Sequence, residues 1–421
     1  MHTRAAEIIA IGDEVLRGEI VNSNAALIAS ALEDVGWCVV RHTVVADDTE
    51  AILAAFREAR ARIVLVSGGL GPTRDDITSE CAARHFGVRR VLDEEVLEGI
   101  RAFFERVGYP MSENNRNQAL FPEGAVILRN PLGTAPGFRL SRGEKHFFFV
   151  PGVPREMARM LHAEILPFLE GILPEGAHRA VTLLRTFGMG ESRLDERLED
   201  VTAGVAGVTI GFRTQFPENV VRIVADGRDR AEAEERLLRV RTEVERRLGP
   251  MIVAEGERTI EEVVGALLTE RGLRLATAES CSGGLLAHRI TNVPGSSVYF
   301  ERGVVTYSNE AKTQWLGVPA EVISAHGAVS DRVAIAMAEG IRKIAGADLG
   351  VGITGIAGPG GAAKEKPVGL VYIALATEGG TQVQKQQFFG DRDRVKTWST
   401  AVALNLIRLY LLDLAGPSSL R

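Results

Sequence analysis

The apolar run Leu273–Ala276, the turn Thr277-Ala278-Glu279-Ser280-Cys281-Ser282-Gly283-Gly284 and the apolar-periodic stretch Leu285–Ile290 form a strand–turn–helix junction. Such a junction constrains the fold more than any bulk property of the chain. It requires a strand end to open directly into a helix start, the connection found in helix-covered, parallel sheets. It also leaves backbone N–H groups free at the mouth of the sheet, where they can meet an anion. Hydroxyls, a thiol, a carboxylate and glycines crowd this one turn. The later segment Tyr307-Ser308-Asn309-Glu310-Ala311-Lys312 supplies a lysine able to activate a serine. The combination points to amide-bond hydrolysis on a small phosphorylated substrate.

The same alternation runs through the start of the chain. Ile8–Ile11, Val39–Val45, Ile63–Ser67, Val126–Leu128 and Phe147–Val150 read as strands, and Asn24–Asp34, Glu50–Ala61 and Glu94–Arg106 as helices. This predicts a parallel, helix-covered α/β domain over residues 1–170. Over 171–250 strands at Val181–Phe187, Val208–Phe212 and Val220–Val224 outnumber helices at Glu191–Glu199 and Ala231–Leu248, so a small α+β middle domain is expected. An RNA-binding role for that pattern is disfavoured by its acidic and mixed charge. A linker is expected at Leu248–Glu257. An α/β domain over 257–421 follows, with a helix at Thr259–Arg271, later strands at Gly303–Tyr307, Leu349–Thr354 and Gly369–Ala376, and a terminal helix Val395–Leu414, apolar on one face.

Composition excludes several classes of function. A chain of 421 residues exceeds one core and calls for two or three domains. Net charge is −6 and no dense Lys/Arg tract interleaves with aromatics, so direct nucleic-acid binding is not expected. Cys38, Cys81 and Cys281 lie too far apart for a zinc site and fit a reducing compartment. Met1-His2-Thr3-Arg4 opens no signal peptide, and no apolar run reaches the ~18 residues of a membrane span. A cytoplasmic protein without membrane contact is predicted, and the apolar face of Val395–Leu414 suggests a homodimer.

A serine nucleophile needs a base. In the last domain His288 and His326 have no aspartate beside them, whereas Lys312 can be kept neutral by partial burial, with Tyr307 to relay or orient a proton. Gly352-Ile353-Thr354-Gly355-Ile356-Ala357-Gly358-Pro359-Gly360-Gly361 ends an apolar strand where backbone can approach a ligand. Phe389-Gly390-Asp391-Arg392 offers a guanidinium for phosphate or carboxylate. Each has an ordinary reading as well: a tight connection, a solvated lysine, a surface ion pair. Their co-occurrence at strand ends favours function.

The segments Ala278–Gly284, Phe300–Lys312, His326–Ser330, Gly352–Pro359, Lys366–Gly369 and Gly390–Asp393 closely resemble the CinA C-terminal family, over roughly the last 160 residues. The family includes amidases that convert nicotinamide mononucleotide to nicotinate mononucleotide and ammonia. The resemblance implies a Ser–Lys amidohydrolase that needs no cofactor, with Ser280 as nucleophile and Lys312 as base. It places Ser297, Tyr307, Thr354 and Arg392 in the active site as well, with Tyr307 assisting proton transfer and Arg392 meeting the substrate phosphate. Ser282 stands where relatives often carry threonine. With Gly283, Gly284 and Gly355 it is expected to line the substrate, the turn's N–H groups forming an oxyanion hole or phosphate nest. Cys281 is a rival nucleophile, but the family pattern favours Ser280.

At the other end, Gly12-Asp13-Glu14-Val15-Leu16-Arg17-Gly18 and Ser67-Gly68-Gly69-Leu70-Gly71-Pro72-Thr73-Arg74-Asp75-Asp76-Ile77-Thr78 follow strands, the usual place for ligands in open α/β sheets. Neither is a Walker A sequence. Gly68, Gly69, Gly71, Thr73, Thr78 and Asn24 are candidates to hold phosphate, and Asp13, Asp47, Asp75 and Asp76 to hold a hard cation such as Mg²⁺. The plain alternative is that Asp76 and Thr78 cap the next helix. Asn130–Gly137 and Pro151–Met157 read as turn chemistry. Over about residues 1–170 these segments resemble the molybdopterin-binding-like three-layer α/β domain found at the N-terminus of CinA proteins. The resemblance implies either pterin binding for molybdenum-cofactor synthesis or metal-assisted hydrolysis of ADP-ribose to AMP and ribose 5-phosphate. The second fits a fused amidase, both activities recycling pyridine nucleotides. A non-catalytic accessory role in competence or DNA damage is the further alternative that the family name raises.

Overall fold

The computed structural model describes residues 4–174, 178–363 and 365–413. Met1–Thr3 of the N-terminal reading and Leu414 of the expected terminal helix lie outside them. The chain clusters into two compact units, Met1–Val181 with Val224–Leu238, and Thr182–Ile223 with Arg239–Arg421.

The first unit is built on a six-stranded sheet ordered Cys38–Val45, Ala5–Ile11, Ile63–Ser67, Lys145–Val150, Gly137–Arg142, Val126–Leu128. The first four strands are parallel and the last two antiparallel. The sheet is therefore mixed, not all-parallel as expected: the short turn between Gly137–Arg142 and Lys145–Val150 makes a hairpin, which only antiparallel strands can share. Ala5–Ile11 and Ile63–Ser67 are buried along their whole length, as strands covered on both faces must be. Side chains alternate between the faces. Ala6, Ile8, Leu65 and Phe148 pack under helix Ser23–Asp34 and Met157–Leu169, whereas Ile9, Ile11, Val64, Val66 and Phe149 pack under Ile52, Phe56 and Ala82. Because the central strands are parallel, the loops after Ile11, Ser67 and Val150 open at one end of the sheet.

The middle stretch carries a four-stranded sheet ordered Val208–Gln215, Glu218–Gly227, His178–Thr186, Ile252–Glu255. Its outer strand overturns the expected linker. Ile252–Glu255 pairs antiparallel with Leu184–Thr186, and buried Val253 and Ala254 explain why that stretch lacks loop composition.

The second unit holds a five-stranded sheet ordered Phe300–Val305, Leu275–Glu279, Leu349–Gly355, Leu370–Thr377, Gly380–Gln387, three parallel strands followed by two antiparallel. Helix Asp331–Ala345 covers one face against Ala276, Ala278, Ala374 and Ala376. Glycine allows its close approach: a Cβ on Gly352 would stand 2.4 Å from the Ala334 carbonyl oxygen. The other face carries Val264, Leu268, Leu286 and Ile290 together with the terminal helix Arg392–Leu411. That helix was expected to show one apolar face, yet every residue from Ser399 to Leu409 is buried. Even Arg408 is enclosed, donating to Asn405 Oδ1, to the Ile252 carbonyl at 3.2 Å and to the Pro250 carbonyl. The apolar surface that suggested a dimer is consumed inside the chain. No helix among the described residues is long and apolar enough to cross a membrane.

Candidate active site

Ser280 follows strand Leu275–Glu279 directly, and its N–H donates to the Ile353 carbonyl of the neighbouring strand at 2.9 Å. The next residues form a turn that ends in helix Leu285–Thr291. Glu279 holds this turn. It is 1 % exposed, and its carboxylate accepts the N–H groups of Gly284 (3.1 Å), Leu286 (3.0 Å) and Ala287 (2.9 Å). The side chain thereby satisfies the orphan donors of the helix start. Gly283 N–H returns to the Ser280 carbonyl at 3.1 Å. The N–H groups of Cys281 and Ser282 donate to no oxygen among the described residues. Gly283 and Gly284 N–H are thus committed within the turn, and the Cys281 and Ser282 N–H groups face the Cys281 sulfur.

Lys312 reaches the serine from helix Asn309–Leu316, whose start is capped by the Ser308 hydroxyl accepting from Ala311 N–H. Its Nζ lies 3.2 Å from Ser280 Oγ, 2.9 Å from the Thr306 carbonyl oxygen and 3.3 Å from that of Tyr307. Lys312 is 1 % exposed and has no carboxylate partner among the described residues. Burial pushes its pKa below the ordinary lysine value, only partly opposed by Cys281 and Glu310. A neutral amine can donate to the two carbonyls and still accept the serine proton. Cys281, by contrast, is pushed up to about 12 by burial, so its thiol stays protonated and unreactive.

Tyr307 is exposed, and its hydroxyl accepts from Arg392 Nη2 at 3.0 Å. Arg392 also donates to the Gly358 carbonyl at 2.8 Å. These bonds hold a guanidinium edge at the start of the terminal helix. Lys396, one turn on, places Nζ 3.6 Å from the point where a Cβ on Gly283 would stand. It was not among the expected residues. Its signal was the basic position one helical turn after Arg392.

Several expected residues are placed differently. Thr354 is buried and donates to the Ala328 carbonyl at 2.8 Å, so its hydroxyl proton is committed. Gly352 accommodates a helix rather than a ligand, and a Cβ on Gly355 would meet the Leu370 carbonyl oxygen at 2.7 Å. Ser282 is fully enclosed, its hydroxyl without a partner. Ser297 lies on the short turn Ser296–Val298 that precedes strand Phe300–Val305. Phe300 pairs with Leu275, the first residue of the strand that Ser280 follows. Within this chain Ser297 is thus at the far end of that strand, roughly 16 Å away at the usual rise.

In the first unit a cavity of about 470 Å³ opens at the strand ends, lined by Gly68, Gly69, Gly71, Asn24, Glu14, Asp47, Asp75 and Asp76 among others. Gly68 has φ +111°, and a Cβ there would stand 2.1 Å from the Ile11 carbonyl oxygen. Buried Asn24 donates to Ser67 Oγ (2.9 Å) and the Gly152 carbonyl (2.8 Å), which leaves its Oδ1 without a partner. Thr78 is fully buried and donates to the Gly68 carbonyl at 3.0 Å; it ties the loop rather than facing a ligand. Asp76 does not cap the helix either. It accepts from Thr73 N–H (2.8 Å) and Oγ1 (2.5 Å). Asp13 pairs with Arg17 at 2.5 Å, and Asp47 accepts its N–H at 2.9 Å. Burial raises the Asp47 pKa against that hydrogen bond, and Glu14, Asp13 and Asp75 raise it further. Among the described residues no three His, Cys, Asp or Glu side chains converge on a single point as a metal centre.

A buried Ser–Lys pair on one α/β unit and a glycine-loop cleft on another define a two-site α/β protein. Three family models match in sequence: "Probable molybdopterin binding domain" over 7–171, "Damage-inducible protein CinA KH domain" over 182–254 and "CinA C-terminal domain" over 257–411. A CinA-like protein of Geobacter sulfurreducens is 46 % identical over 409 residues, 96 % of this chain and 98 % of its own. A putative competence-damage inducible protein of Acetivibrio thermocellus is 41 % identical over 416 residues, 98 % of this chain and 100 % of its own. A solved CinA superfamily protein from Klebsiella pneumoniae is 36 % identical, with 37 % of this chain and 99 % of that one covered and a TM-score of 0.36. The chain belongs to the CinA-like protein family.

Proposed function

We propose that the second unit deamidates nicotinamide mononucleotide to nicotinate mononucleotide and ammonia. The observation that carries this reading is the enclosed contact of Lys312 Nζ with Ser280 Oγ, a base of lowered pKa against a hydroxyl at a strand end. Ser280 Oγ gives its proton to Lys312 and attacks the amide carbon. The carbonyl oxygen, now anionic, is stabilised by the backbone dipoles of the turn. Lys312 returns the proton to the leaving nitrogen, the C–N bond breaks and ammonia departs. Water then attacks the acyl-serine ester, giving one proton to Lys312, which passes it to Ser280 Oγ as nicotinic acid leaves and ionises, its remaining proton going to the released ammonia or to solvent. Arg392 and Lys396 supply positive charge for the substrate phosphate. Ammonia release from nicotinamide mononucleotide, measured for wild type and Lys312→Ala, tests this. No turnover by the folded wild type would remove the reading.

For the first unit we propose hydrolysis of ADP-ribose to AMP and ribose 5-phosphate. The glycine-lined cleft and the unpartnered Asn24 Oδ1 support it, as a buried acceptor calls for a donor from a ligand or water. The donor set suits a cation shared with the substrate. Mg²⁺ usually takes one or two carboxylates together with substrate phosphates rather than an all-protein cage. Asp47 and Asp75 line the cleft without an ion-pair partner among the described residues, whereas Asp13 pairs with Arg17 and Asp76 accepts both Thr73 donors. Such a cation would neutralise the diphosphate and polarise water. The match to a molybdopterin binding domain favours a second reading, in which the same cleft takes a pterin phosphate. Release of AMP from ADP-ribose with Mg²⁺ distinguishes the two.

A further inference from the structure

The middle sheet reaches the start of the terminal helix through one turn. Strands Val208–Gln215 and Glu218–Gly227 are joined by two residues only, Phe216-Pro217, so the half-buried Phe216 ring stands at a hairpin tip. We propose that Phe216 is a positioning residue of the amidase site: through Arg394 it holds the turn that presents the Arg392 guanidinium to the substrate phosphate. The inference rests on the amidase reading given above.

The hairpin is tied at the base of its turn. Arg185 is 8 % exposed, donates to Gln215 Oε1 (3.0 Å) and to the Gly256 carbonyl (3.3 Å), and lies 3.5 Å from Glu218 Oε2. Both residues flanking Phe216-Pro217 are thus fixed to one buried guanidinium. The ring itself meets two residues of the terminal helix. Trp398 approaches it edge to face, with centroids 5.2 Å apart, and the guanidinium carbon of Arg394 lies 4.1 Å from its centroid.

The cations at the start of that helix divide by helical spacing, since positions four apart share a face and the one between them does not. Arg392 reaches the Tyr307 hydroxyl and Lys396 approaches Gly283, whereas Arg394 turns to the hairpin. On its way the Arg394 stem crosses Gly390, where φ is +114° and a Cβ would stand 2.8 Å from Arg394 Cδ. The Arg394 N–H also donates to Asp391 Oδ1 at 2.8 Å. Gly390 and Asp391 are the two residues before Arg392. Packing alone explains why Trp398 sits among Phe187, Phe216 and Phe388. The stacked Arg394 adds a path from the Phe216 ring to the turn that launches Arg392. An exposed guanidinium held before its ligand arrives loses less freedom on binding it.

Phe216→Leu keeps the tip apolar and removes the ring face, while Phe216→Tyr keeps the face. In the full-length protein, Phe216→Leu is expected to raise KM for nicotinamide mononucleotide about two- to fivefold with kcat unchanged. Phe216→Tyr should match wild type, and Phe216→Leu added to Arg392→Ala should raise KM no further. Wild-type kinetics for Phe216→Leu overturn the proposal. A fall in kcat without a rise in KM overturns it too, as does a full additional effect in the Arg392→Ala background, because the hairpin would then serve the fold and not the guanidinium. Hydrogen exchange reads the same link without turnover: the Arg394 and Val395 amides should exchange about two- to fivefold faster in Phe216→Leu. If wild type releases no ammonia, the amidase reading falls and exchange alone decides. Faster exchange then keeps Phe216 as the residue that holds the turn, and unchanged exchange overturns it.

Discussion

The turn at Ser280 and the loop at Gly68 both follow buried parallel strands, yet they are finished to different degrees. At Ser280 the polar side chains already touch: lysine meets hydroxyl, and a buried carboxylate has taken the N–H groups of Gly284, Leu286 and Ala287. At Gly68 the polar side chains are spent on bracing, as Thr78 and Asp76 tie the loop and Asp13 is paired. What remains there is open backbone, an orphan amide oxygen and carboxylates that do not converge. One site is assembled by the chain, while the other has the form of a site completed by its ligand.

That contrast can be broken, and the largest effect is expected at Lys312. Lys312→Ala should lower kcat for amide hydrolysis by about 10³ or more while ADP-ribose hydrolysis continues; loss of both in a folded protein would end the two-site description. The wild-type kcat/KM for the amide should rise with pH as Lys312 loses its proton, with a midpoint below the ordinary 10.5. The same depressed pKa has a sign for stability. Between the folded and unfolded values the unfolded chain binds the extra proton, so this contribution falls as pH drops from the ordinary value to the folded one and is flat below it. Lys312→Met should therefore melt higher than wild type at neutral pH, and the difference should shrink as pH rises towards 10.5.

Next in size, Arg392→Ala is expected to raise KM for nicotinamide mononucleotide by roughly 10- to 100-fold, with little change for a nicotinamide riboside lacking the phosphate; equal effects on both would show that the guanidinium only positions Tyr307. Asp47→Asn should reduce ADP-ribose hydrolysis and raise the Mg²⁺ concentration needed, leaving ammonia release untouched. Glu279→Gln, which exchanges an acceptor-only group for an amide, should cost about 1–3 kcal/mol in denaturant unfolding, since the N–H groups of helix Leu285–Thr291 lose part of their partner. The smallest effect is expected at Cys281→Ala: a thiol held near 12 contributes no nucleophile, so activity should persist.

Much of this was legible where local chemistry decides. The strand Ile63–Ser67 is apolar up to its last residue because it is buried on both faces, and its bounds could be read directly. Ser280 and Lys312 were legible as types and spacing, but their contact depends on the fold bringing helix Asn309–Leu316 back over the turn. Tertiary context hid the rest. Ile252–Glu255 is too short for period-two alternation to register and is a strand only because Leu184–Thr186 lies beside it. The glycines of Leu349–Gly355 look like a ligand loop, though Gly352 serves a helix whose position no local pattern reveals. Thr78 and Thr354 were hydroxyls in suggestive places, and only their buried carbonyl partners show that they are already committed.

The terminal helix has a consequence for how the protein is made. Arg392, the cation expected to meet the substrate, opens the same element whose later turns fill the centre of the second unit. This element is the last among the described residues to be synthesised. A chain without this helix would lose the Arg392 guanidinium and much of the core packing together.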